Sequence, residues 1–464
     1  MKKASRSLLM AAMSILLIFS LAACQKNEQE TSYEPDSAVA LWEKVDETMS
    51  AMQSMETTLT TQVVYYYMGY KFELNGSGRV VSTADAHYSE SQNVVVCDEL
   101  SMSQTVSSVK AYYDGKMYTS VQDGTYDQKF CSVMTKEEFV QTQSGVLTEE
   151  IELSDCLKAE FSKRENKGWK LQFSGYTKKA IDKVLEVLSL ADDILGAPIA
   201  DMEVKLETDQ QFQVEKIEIS FLFDAEEMAG EAMPTFSVTA VYSGFNTTTF
   251  DSAVLKVEEY TEVDDVRVLN DVSEALQERQ NAASDQFRLM IKTTYDMPGQ
   301  NSTYVENDIV EYGRKNGAYC YLIDAEVEGQ HFAIQYKNGE QTVTTNGETR
   351  ATKQPEEQAK AFIDSLIDSA RYNVNAVTDI QMQEEGTYLI SIAQCDVTAY
   401  APTLENSGIE NISGTQQIIV VFAEDQITQV SSIITICGES DAGSVTITVE
   451  SDVSFGEKVD TEQM

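Results

Sequence analysis

The chain has 464 residues, of which 76 are acidic and 34 basic, so its formal net charge at neutral pH is −42. A surface this acidic repels phosphate groups, which excludes nucleic acid as a partner and disfavours anionic lipid headgroups. Hydrophobic residues make up 42% of the sequence, enough for packed cores, so wholesale disorder is excluded as well. The length predicts two domains.

The first residues follow the pattern of a secretory signal peptide. Lys2, Lys3 and Arg6 form a positively charged start, and an almost uncharged apolar stretch follows over residues 8–21. This stretch is short for a membrane span, and a polar, acidic segment comes directly after it. We therefore predict that residues 1–23 are a cleaved signal peptide.

A cysteine closes this segment in the order Leu21-Ala22-Ala23-Cys24. These four residues resemble the lipobox of bacterial lipoproteins, in which the cysteine thiol receives a diacylglyceryl group and becomes the mature N-terminus. The resemblance implies lipidation of Cys24 and a place on the extracytoplasmic face of the cell membrane, where two acyl chains anchor a protein durably. The alternative is an ordinary signal peptide that happens to end near a cysteine. The polar residues that follow predict a flexible tether over residues 24–37.

Folded structure is predicted to begin at Ala38. Apolar residues over 41–52 recur at helical intervals, and residues 57–68 then change to the β-branched and aromatic types that favour a strand. The same change recurs after Asp271, where a short helix is followed by a strand over residues 286–295. Both halves of the chain thus open with a helix and continue with a strand.

Further landmarks repeat in the same order along the two halves. The turn at Tyr112-Tyr113-Asp114-Gly115 is answered by Tyr336-Lys337-Asn338-Gly339, and the later helix starts, glycine turns and closing strands follow in matching sequence. We therefore predict two homologous domains, residues 38–262 and residues 263–464. The alternative is one large β-protein with incidental similarity.

Two further patterns concern what covers the strands. Residues 178–195 predict an amphipathic helix that packs on its own sheet or serves as a lid or partner-binding helix, whereas the second half has a stretch with glycine and proline over residues 400–414 instead. Strand segments 63–67 and 418–422 are apolar at successive positions. We expect each of them to be covered on both faces.

The helix-first domain, the long strands, the Tyr-x-Asp/Asn-Gly turns and the lipid anchor together resemble the LolA-like superfamily, which includes LppX- and LprG-like lipoproteins. The resemblance covers nearly all of residues 38–460, as two such domains in tandem. It implies an α+β fold class, in which each domain is a curved antiparallel β-sheet, an incomplete barrel, with helices on its concave or open side. It also implies binding or carriage of a hydrophobic ligand, such as a lipid or lipoprotein. The ligand-binding residues stay unknown, because no family ligand residue matches a position here.

Residues with catalytic chemistry are few. His87 and His331 are the two histidines, and both lie in strand-like sequence, where structural roles are expected. No nucleophile elbow, phosphate-binding glycine loop or zinc-protease motif occurs. The pair Ser107 and Lys110 has the S-x-x-K spacing of penicillin-binding enzymes but lacks their companion motifs. We therefore expect no enzyme activity, no cofactor and no metal.

The cysteines and the acidic clusters also favour structural roles. The acidic clusters at residues 149–152 and 262–265 lack the alternating ligands of a calcium loop, and they predict a solvated face and an interdomain linker. Export permits disulfides, but several cysteines end apolar runs, so buried free thiols are favoured and disulfides remain the alternative. Six cysteines follow Cys24, without zinc-site spacing: Cys97, Cys131, Cys156, Cys320, Cys395 and Cys437.

These patterns predict a membrane-anchored binding protein. Its partners would be the membrane, through the diacylglyceryl group, a hydrophobic ligand and other proteins of the envelope. The 17 Met and 22 Tyr residues suit an adaptable apolar pocket, and the extra helix over 178–195 favours the first domain as its place. Two alternatives stay open. The first helix fills the hollow itself, or the protein is a structural or protein-interaction lipoprotein of the cell envelope.

The first testable prediction concerns the anchor. Cys24→Ala removes the thiol that would carry the diacylglyceryl group, so we expect the protein to move from the membrane fraction to the medium or periplasm. Metabolic labelling with a radioactive fatty acid, followed by fractionation, measures this. Unchanged membrane retention of the variant, with no acyl label at residue 24 in the wild type, would contradict the prediction.

Overall fold

Two large sheets make up most of the computed structural model. The chain divides between Glu262 and Val263 into two units, and each unit holds one of the sheets. The structure describes residues 34–67, 69–141, 156–165, 167–178, 181, 199–224, 233–281, 284–298, 300–315, 318–367, 370–395, 397, 409–423, 426–440 and 443–456. Cys24, the acidic cluster at 149–152 and most of the helix predicted over 178–195 lie outside these residues.

The first unit begins with helix α1 (Ala38–Ser50). The hydroxyl of Ser37 accepts a hydrogen bond from the amide of Ala40 at 3.1 Å, which satisfies one of the free donors of the first turn. A short helix, α2 (Lys136–Gln141), follows the sixth strand. The strands are β1 (Met55–Tyr67), β2 (Tyr70–Ser82), β3 (His87–Cys97), β4 (Met102–Tyr113), β5 (Lys116–Gln122), β6 (Asp127–Val133), β7 (Cys156–Arg164), β8 (Gly168–Tyr176), β9 (Ile199–Thr208), β10 (Val214–Phe223), β11 (Thr235–Ser243) and β12 (Thr261–Glu262).

The second unit repeats this plan. Helix α3 (Val268–Asn281) precedes its first strand, and helix α4 (Glu356–Ile367) follows its sixth. Among the described residues, none of the helices has the length and apolar content of a membrane span. The strands are β13 (Ser284–Met297), β14 (Gln300–Lys315), β15 (Ala318–Val327), β16 (Gln330–Lys337), β17 (Glu340–Thr345), β18 (Glu348–Lys353), β19 (Val377–Glu384), β20 (Thr387–Ile392), β21 (Glu410–Ala423), β22 (Gln426–Ser440) and β23 (Gly443–Phe455).

The two sheets share one strand order. The first runs β12-β6-β5-β4-β3-β2-β1-β11-β10-β9-β8-β7, and the second runs β18-β17-β16-β15-β14-β13-β23-β22-β21-β20-β19, which is the same order without the two-residue strand β12. Apart from the short parallel contact of β12 with β6, the pairs are antiparallel. As far as the described strands go, neither sheet closes on itself. The predicted α+β fold with two open antiparallel sheets is confirmed.

A cluster of three aromatic rings recurs at the same place in both units. It joins the third strand, the fourth strand and the helix after the sixth strand, with ring centroids 5.3 to 5.9 Å apart. The matching side chains extend the shared plan from topology to packing. They are His87, Tyr112 and Phe139 in the first unit, and Tyr321, Tyr336 and Phe362 in the second.

Helix α1 fills part of the hollow of the first sheet. Leu41, Val45 and Met49 recur every four residues and are at most 1% exposed, so one face of the helix lies in the core. Trp42 meets the ring of Phe173 edge-on at 5.6 Å. Burying one such aliphatic side chain contributes about 1.5 to 3 kcal/mol. In this region the structure agrees with the predicted alternative of a helix that fills the hollow.

The strands that are apolar at successive positions are not covered on both faces. In β21, Ile418 and Val420 are at most 1% exposed, whereas Ile419 between them is 41% exposed. In β1, Val63 is buried and Val64 is half-buried. The expectation of cover on both faces is therefore wrong for β21, because the face that holds Ile419 is exposed while the face that holds Ile418 and Val420 is buried.

The cysteines are free thiols throughout the described residues. Cys97, Cys131 and Cys320 are buried, as expected from their apolar surroundings. Cys437 is exposed, which corrects the prediction for that residue. Successive side chains of a strand point to opposite faces, and Ile436 takes the buried position beside it.

The segment predicted as an interdomain linker spans the boundary between the two units, with Glu262 in the first unit and residues 263–265 in the second. Val263 and Asp265 are buried, and the amide of Asp264 donates to the carbonyl of Ile380 at 3.2 Å. The guanidinium of Arg267 binds both carboxylate oxygens of Asp265, at 3.0 Å and 2.7 Å. The connection between the units is therefore folded from Val263 onward, and Arg267 partly balances the charge of Asp265.

A buried ion pair ties α3 to the second sheet. Arg279 lies 3.0 Å from Asp285 of β13, and the side chain of Asp285 is only 2% exposed. The guanidinium also donates to the carbonyl of Ile427 at 2.9 Å and lies 5.0 Å above the ring of Phe455. The hydroxyl of Tyr312 donates to the carbonyl of Arg279 at 2.5 Å. The last turn of α3 is thus fixed to four strands.

Removing one partner of this pair is expected to destabilise the second unit strongly. Asp285→Ala leaves a buried guanidinium without its counter-charge, so we expect a loss of about 3 to 5 kcal/mol in the free energy of unfolding, measured by urea denaturation. The control is Glu450→Ala, which breaks the ion pair of Glu450 with Lys292. The side chains of Lys292 and Glu450 are 38% and 37% exposed. That variant should lose at most about 1 kcal/mol. Equal losses in the two variants would contradict the prediction.

Candidate functional site

The second sheet has an inner face, defined here as the face that carries α3. By strand register this face holds Leu289 of β13, Val310 of β14, Val453 of β23 and Val430 of β22. All four side chains are at most 1% exposed. At this end of the strands the inner face is a closed apolar core.

The same face is only partly covered further along the strands. Ile291, Tyr295, Ile434 and Val449 are half-buried, and Tyr304 is 49% exposed. The rings of Tyr295 and Tyr304 meet edge to face at 5.9 Å, which agrees with their place on one side of the sheet. We call these five residues the open end of the inner face. They present apolar surface between the closed core and a second buried cluster, against which Tyr295, Ile434 and Val449 pack: Ile409, Ile436, Val445 and Ile447.

Asp308 lies where the closed core meets the open end. Register places it between Leu289 on β13 and Ala325 on β15, so its neighbours across both strands are apolar. It is 5% exposed, and its Oδ1 atom accepts no hydrogen bond from any described residue. A buried polar atom without a partner costs free energy, which makes its presence here informative.

A second carboxylate, Glu306, lies two residues earlier on the same face. The pKa of Asp308 is raised to about 6, mainly by burial and also by the negative charge of Glu306 and a hydrogen bond between the two side chains. A negative charge this close disfavours ionisation of Asp308.

Polar side chains continue from Glu306 across the sheet. Glu306 is opposite Ile291, Ile291 is opposite Ser451, and Ser451 is opposite Ser432. The amide of Gln416 donates to the hydroxyl of Ser432 at 2.9 Å. A row of polar side chains, which we call the polar band and which only Ile291 interrupts, thus lies between the closed core and the rest of the open end. An apolar molecule lying in the open end would have hydrogen-bonding groups at one of its tips.

The first sheet has different residues at the equivalent place. Hairpins β1–β2 and β13–β14 each join their strands through two residues, so positions can be matched by counting from the hairpin. Gly76 and Gly78 then correspond to Glu306 and Asp308. A Cβ atom on Gly76 would lie 2.4 Å from Oδ1 of Asn93, so the glycine makes room for the asparagine side chain. The carboxylates are therefore a property of the second unit and not a requirement of the fold.

Asn93 fills this place in the first unit. It is 1% exposed, and neither its amide nitrogen nor its amide oxygen has a hydrogen-bond partner among the described residues. Two residues before Asn93 on β3, the hydroxyl of Ser91 lies 2.8 Å from the hydroxyl of Ser108 on β4. Both units thus carry polar groups at the same point of the inner face, neutral in the first and acidic in the second.

The histidines lie apart from the carboxylates. The pKa of His87 is lowered to about 4, mainly by burial and also by the positive charges of Lys110 and Lys136, so the imidazole is neutral at pH 7. His331 is exposed on β16. Among the described residues no group of three or more His, Cys, Asp or Glu side chains is placed to hold a metal ion.

Motif searches miss Asp308 and Glu306 because these residues belong to no fixed signature. The signal present in the sequence is two acidic residues at alternate positions, two and four residues before Val310. Because the two residues occupy alternate positions of one strand, their side chains share a face of the sheet. Only the pairing of β14 with β13 and β15 shows that this face is the inner one.

No protein-family model and no curated protein sequence matches the chain. Among solved structures, a domain from Vibrio parahaemolyticus named as an outer membrane lipoprotein-sorting protein is similar at 11% identity and a TM-score of 0.18, over 42% of this chain and 94% of that one. The translocator domain of the autotransporter NalP from Neisseria meningitidis is similar at 5% identity and a TM-score of 0.10, over 90% and 92%. Kievitone hydratase from Nectria haematococca is similar at 9% identity and a TM-score of 0.12, over 86% and 89%. Similarities this low carry no argument about function.

The pH dependence of stability tests the environment of Asp308. Because its pKa of about 6 in the folded state exceeds the ordinary value of 3.8, the native protein holds this proton more tightly than the unfolded chain does. The wild type therefore loses up to about 3 kcal/mol from this group as the pH rises from about 4 to above 6. Asp308→Asn removes the titration, so the variant should be more stable than the wild type at neutral pH.

The measurement is urea unfolding of both proteins across this pH range. At about pH 4, where Asp308 is protonated, the two proteins should have similar stability. Glu326→Gln on the outer face of β15, an exposed carboxylate, is the control and should follow the wild type at every pH. A constant difference between Asp308→Asn and the wild type at all pH values would contradict the prediction.

Proposed function

We propose that the protein is an extracytoplasmic lipoprotein, anchored to the cell membrane through Cys24, whose second domain binds a hydrophobic ligand at the open end of the inner face. The observation that carries the proposal is the partial exposure of apolar side chains on the face that forms the core. A soluble domain gains free energy by covering such surface, at about 25 cal/mol per Å². The proposal includes no catalytic step.

The composition of the open end suits a ligand with an acyl or similar chain. Ile291, Ile434 and Val449 offer aliphatic surface, and the edge-to-face pair Tyr295 and Tyr304 forms an aromatic wall. Tyrosine rings combine an apolar body with a polar tip, which suits a surface that is alternately wet and covered. The polar band beside it would receive the head of an amphiphilic molecule.

The anchor fits this role. A protein that binds membrane-derived amphiphiles benefits from a fixed position near the bilayer, and the tether over residues 24–37 lets the domains reach outward. The net charge of −42 disfavours adsorption to anionic headgroups, so the lipid chains on Cys24 would supply the attachment.

In the first domain, helix α1 fills part of the hollow of the sheet, which favours a second candidate function for that domain. Leu41, Val45 and Met49 of α1 occupy its hollow, as a closed interaction module would require. In this reading the first domain contacts other envelope proteins, and the second alone binds ligand. A protein with no ligand in either domain would be the structural or protein-interaction lipoprotein of the alternative prediction.

The test uses two neighbouring residues on opposite faces of β22. Ile434 is on the inner face at the open end, and Ile433 is 43% exposed on the outer face. Ile434→Glu places a charge where the ligand would lie, so we expect the affinity for the neutral fluorescent probe N-phenyl-1-naphthylamine to fall at least about tenfold. Ile433→Glu adds the same charge on the other face and should bind as the wild type does.

Fluorescence titration measures both affinities, and thermal unfolding shows that each variant is folded. Native mass spectrometry of the protein extracted from its own membrane adds an independent readout of any bound lipid. Equal binding by the two variants, or no binding by the wild type, would contradict the proposed site.

A further inference from the structure

We infer that the second domain selects amphiphiles with an ammonium headgroup, which Asp308 and Glu306 bind at the tip of the open end. This inference rests on the proposed function, since the open end must first accept the apolar chain. It adds the chemical class of the ligand head. Neither the sequence patterns nor the similar structures indicate that class.

The first step is the unpartnered oxygen. Oδ1 of Asp308 is buried and receives no hydrogen bond from any described residue, while the other side of the carboxyl group interacts with Glu306. The closed core lies on one side of Asp308 along the strands, and the polar band and open end lie on the other. A donor that approaches from the open end would satisfy this oxygen.

The second step is the absence of a cation from the neighbouring inner-face positions. Arg288 and Lys292 of β13 alternate to the outer face, where Lys292 binds Glu450 at 2.9 Å. The charge of the carboxylate pair is thus left for a ligand to balance. The residues opposite the two carboxylates on the adjacent strands are all apolar: Leu289, Ile291, Ala325 and Val327.

The third step distinguishes an ammonium from a metal ion. Calcium takes six to eight oxygen ligands, and the described residues bring no group of three or more potential side-chain ligands together. An ammonium group has three donors, so it can reach Oδ1 of Asp308 and an oxygen of Glu306 at once. Charge-assisted hydrogen bonds of this kind are roughly twice as strong as neutral ones.

The two domains would therefore differ in selectivity. In the first domain the matching positions are Gly76 and Gly78, and the space is taken by the neutral side chain of Asn93. That arrangement offers no negative charge to an ammonium group. The inference assigns the selectivity to the second domain alone.

Calorimetric titration with two probes of equal chain length tests the inference. The probes are decylammonium and decanol, and the protein is the full mature chain carrying Cys24→Ala, free of detergent, at about 0.5 M salt to screen the overall charge. We expect decylammonium to bind about tenfold or more tightly than decanol. Asp308→Asn should abolish this preference, and Glu326→Gln on the outer face should keep it.

The outcomes separate the inference from the proposed function. If both probes bind the wild type equally, headgroup selection is wrong and hydrophobic binding stands, with water as the partner of Asp308. If the preference survives Asp308→Asn, it comes from the acidic surface in general and the assigned site is wrong. If neither probe binds, the proposed function fails and the inference fails with it.

Discussion

The structure depends on a mismatch of lengths between one helix and the sheet that it covers. Helix α3 has 14 residues and is about 21 Å long, whereas strand β14 has 16 residues and is about 50 Å long. A helix of this size buries one end of the strands, which becomes the closed core around Leu289 and Val310. Further along the strands the apolar side chains of the open end are only partly buried, and beyond them a second buried cluster covers the face again: Ile409, Ile436, Val445 and Ile447. The ion pair of Arg279 with Asp285 fixes which end is closed.

The two domains share one topology but differ in the side chains that line the inner face of the sheet. Strand order, the place of the helices and the three-ring cluster are shared, so the fold tolerates change at the inner face without rearrangement. At one matched place the first domain has Gly76 with Asn93 above it, and the second has Glu306. A glycine in mid-strand weakens a sheet unless another group uses the space it leaves, as Asn93 does here. Duplicated scaffolds of this kind let one half specialise while the other keeps a closed core.

Much of the fold was predictable from the sequence, because it rests on local patterns. The helix-to-strand change near Ala38 and Asp271 and the glycine turns at Gly115 and Gly339 are set by periodicity and by backbone conformations that favour glycine. The candidate site was not predictable, because it depends on coverage. Ile419 has an apolar side chain, as core residues do, and yet it is exposed. Asp308 has a charged side chain, as surface residues do, and yet it is buried. Which face a helix covers is decided by tertiary packing, and one sequence does not record it.

The open sheets also leave edge strands, and these bear on how the protein avoids aggregation. An uncovered edge offers free backbone groups with which a neighbouring molecule could pair, a risk that rises when molecules are tethered side by side. Strands β7 and β18 each end a sheet, and both carry basic side chains although the chain is acidic: Lys158, Lys163 and Arg164 in the first, Arg350 and Lys353 in the second. In β7, Lys163 pairs with Glu34, and Arg164 pairs with Glu207 and Glu215. A second strand that paired with this edge would have to bury these charged groups, which disfavours sheet-to-sheet aggregation.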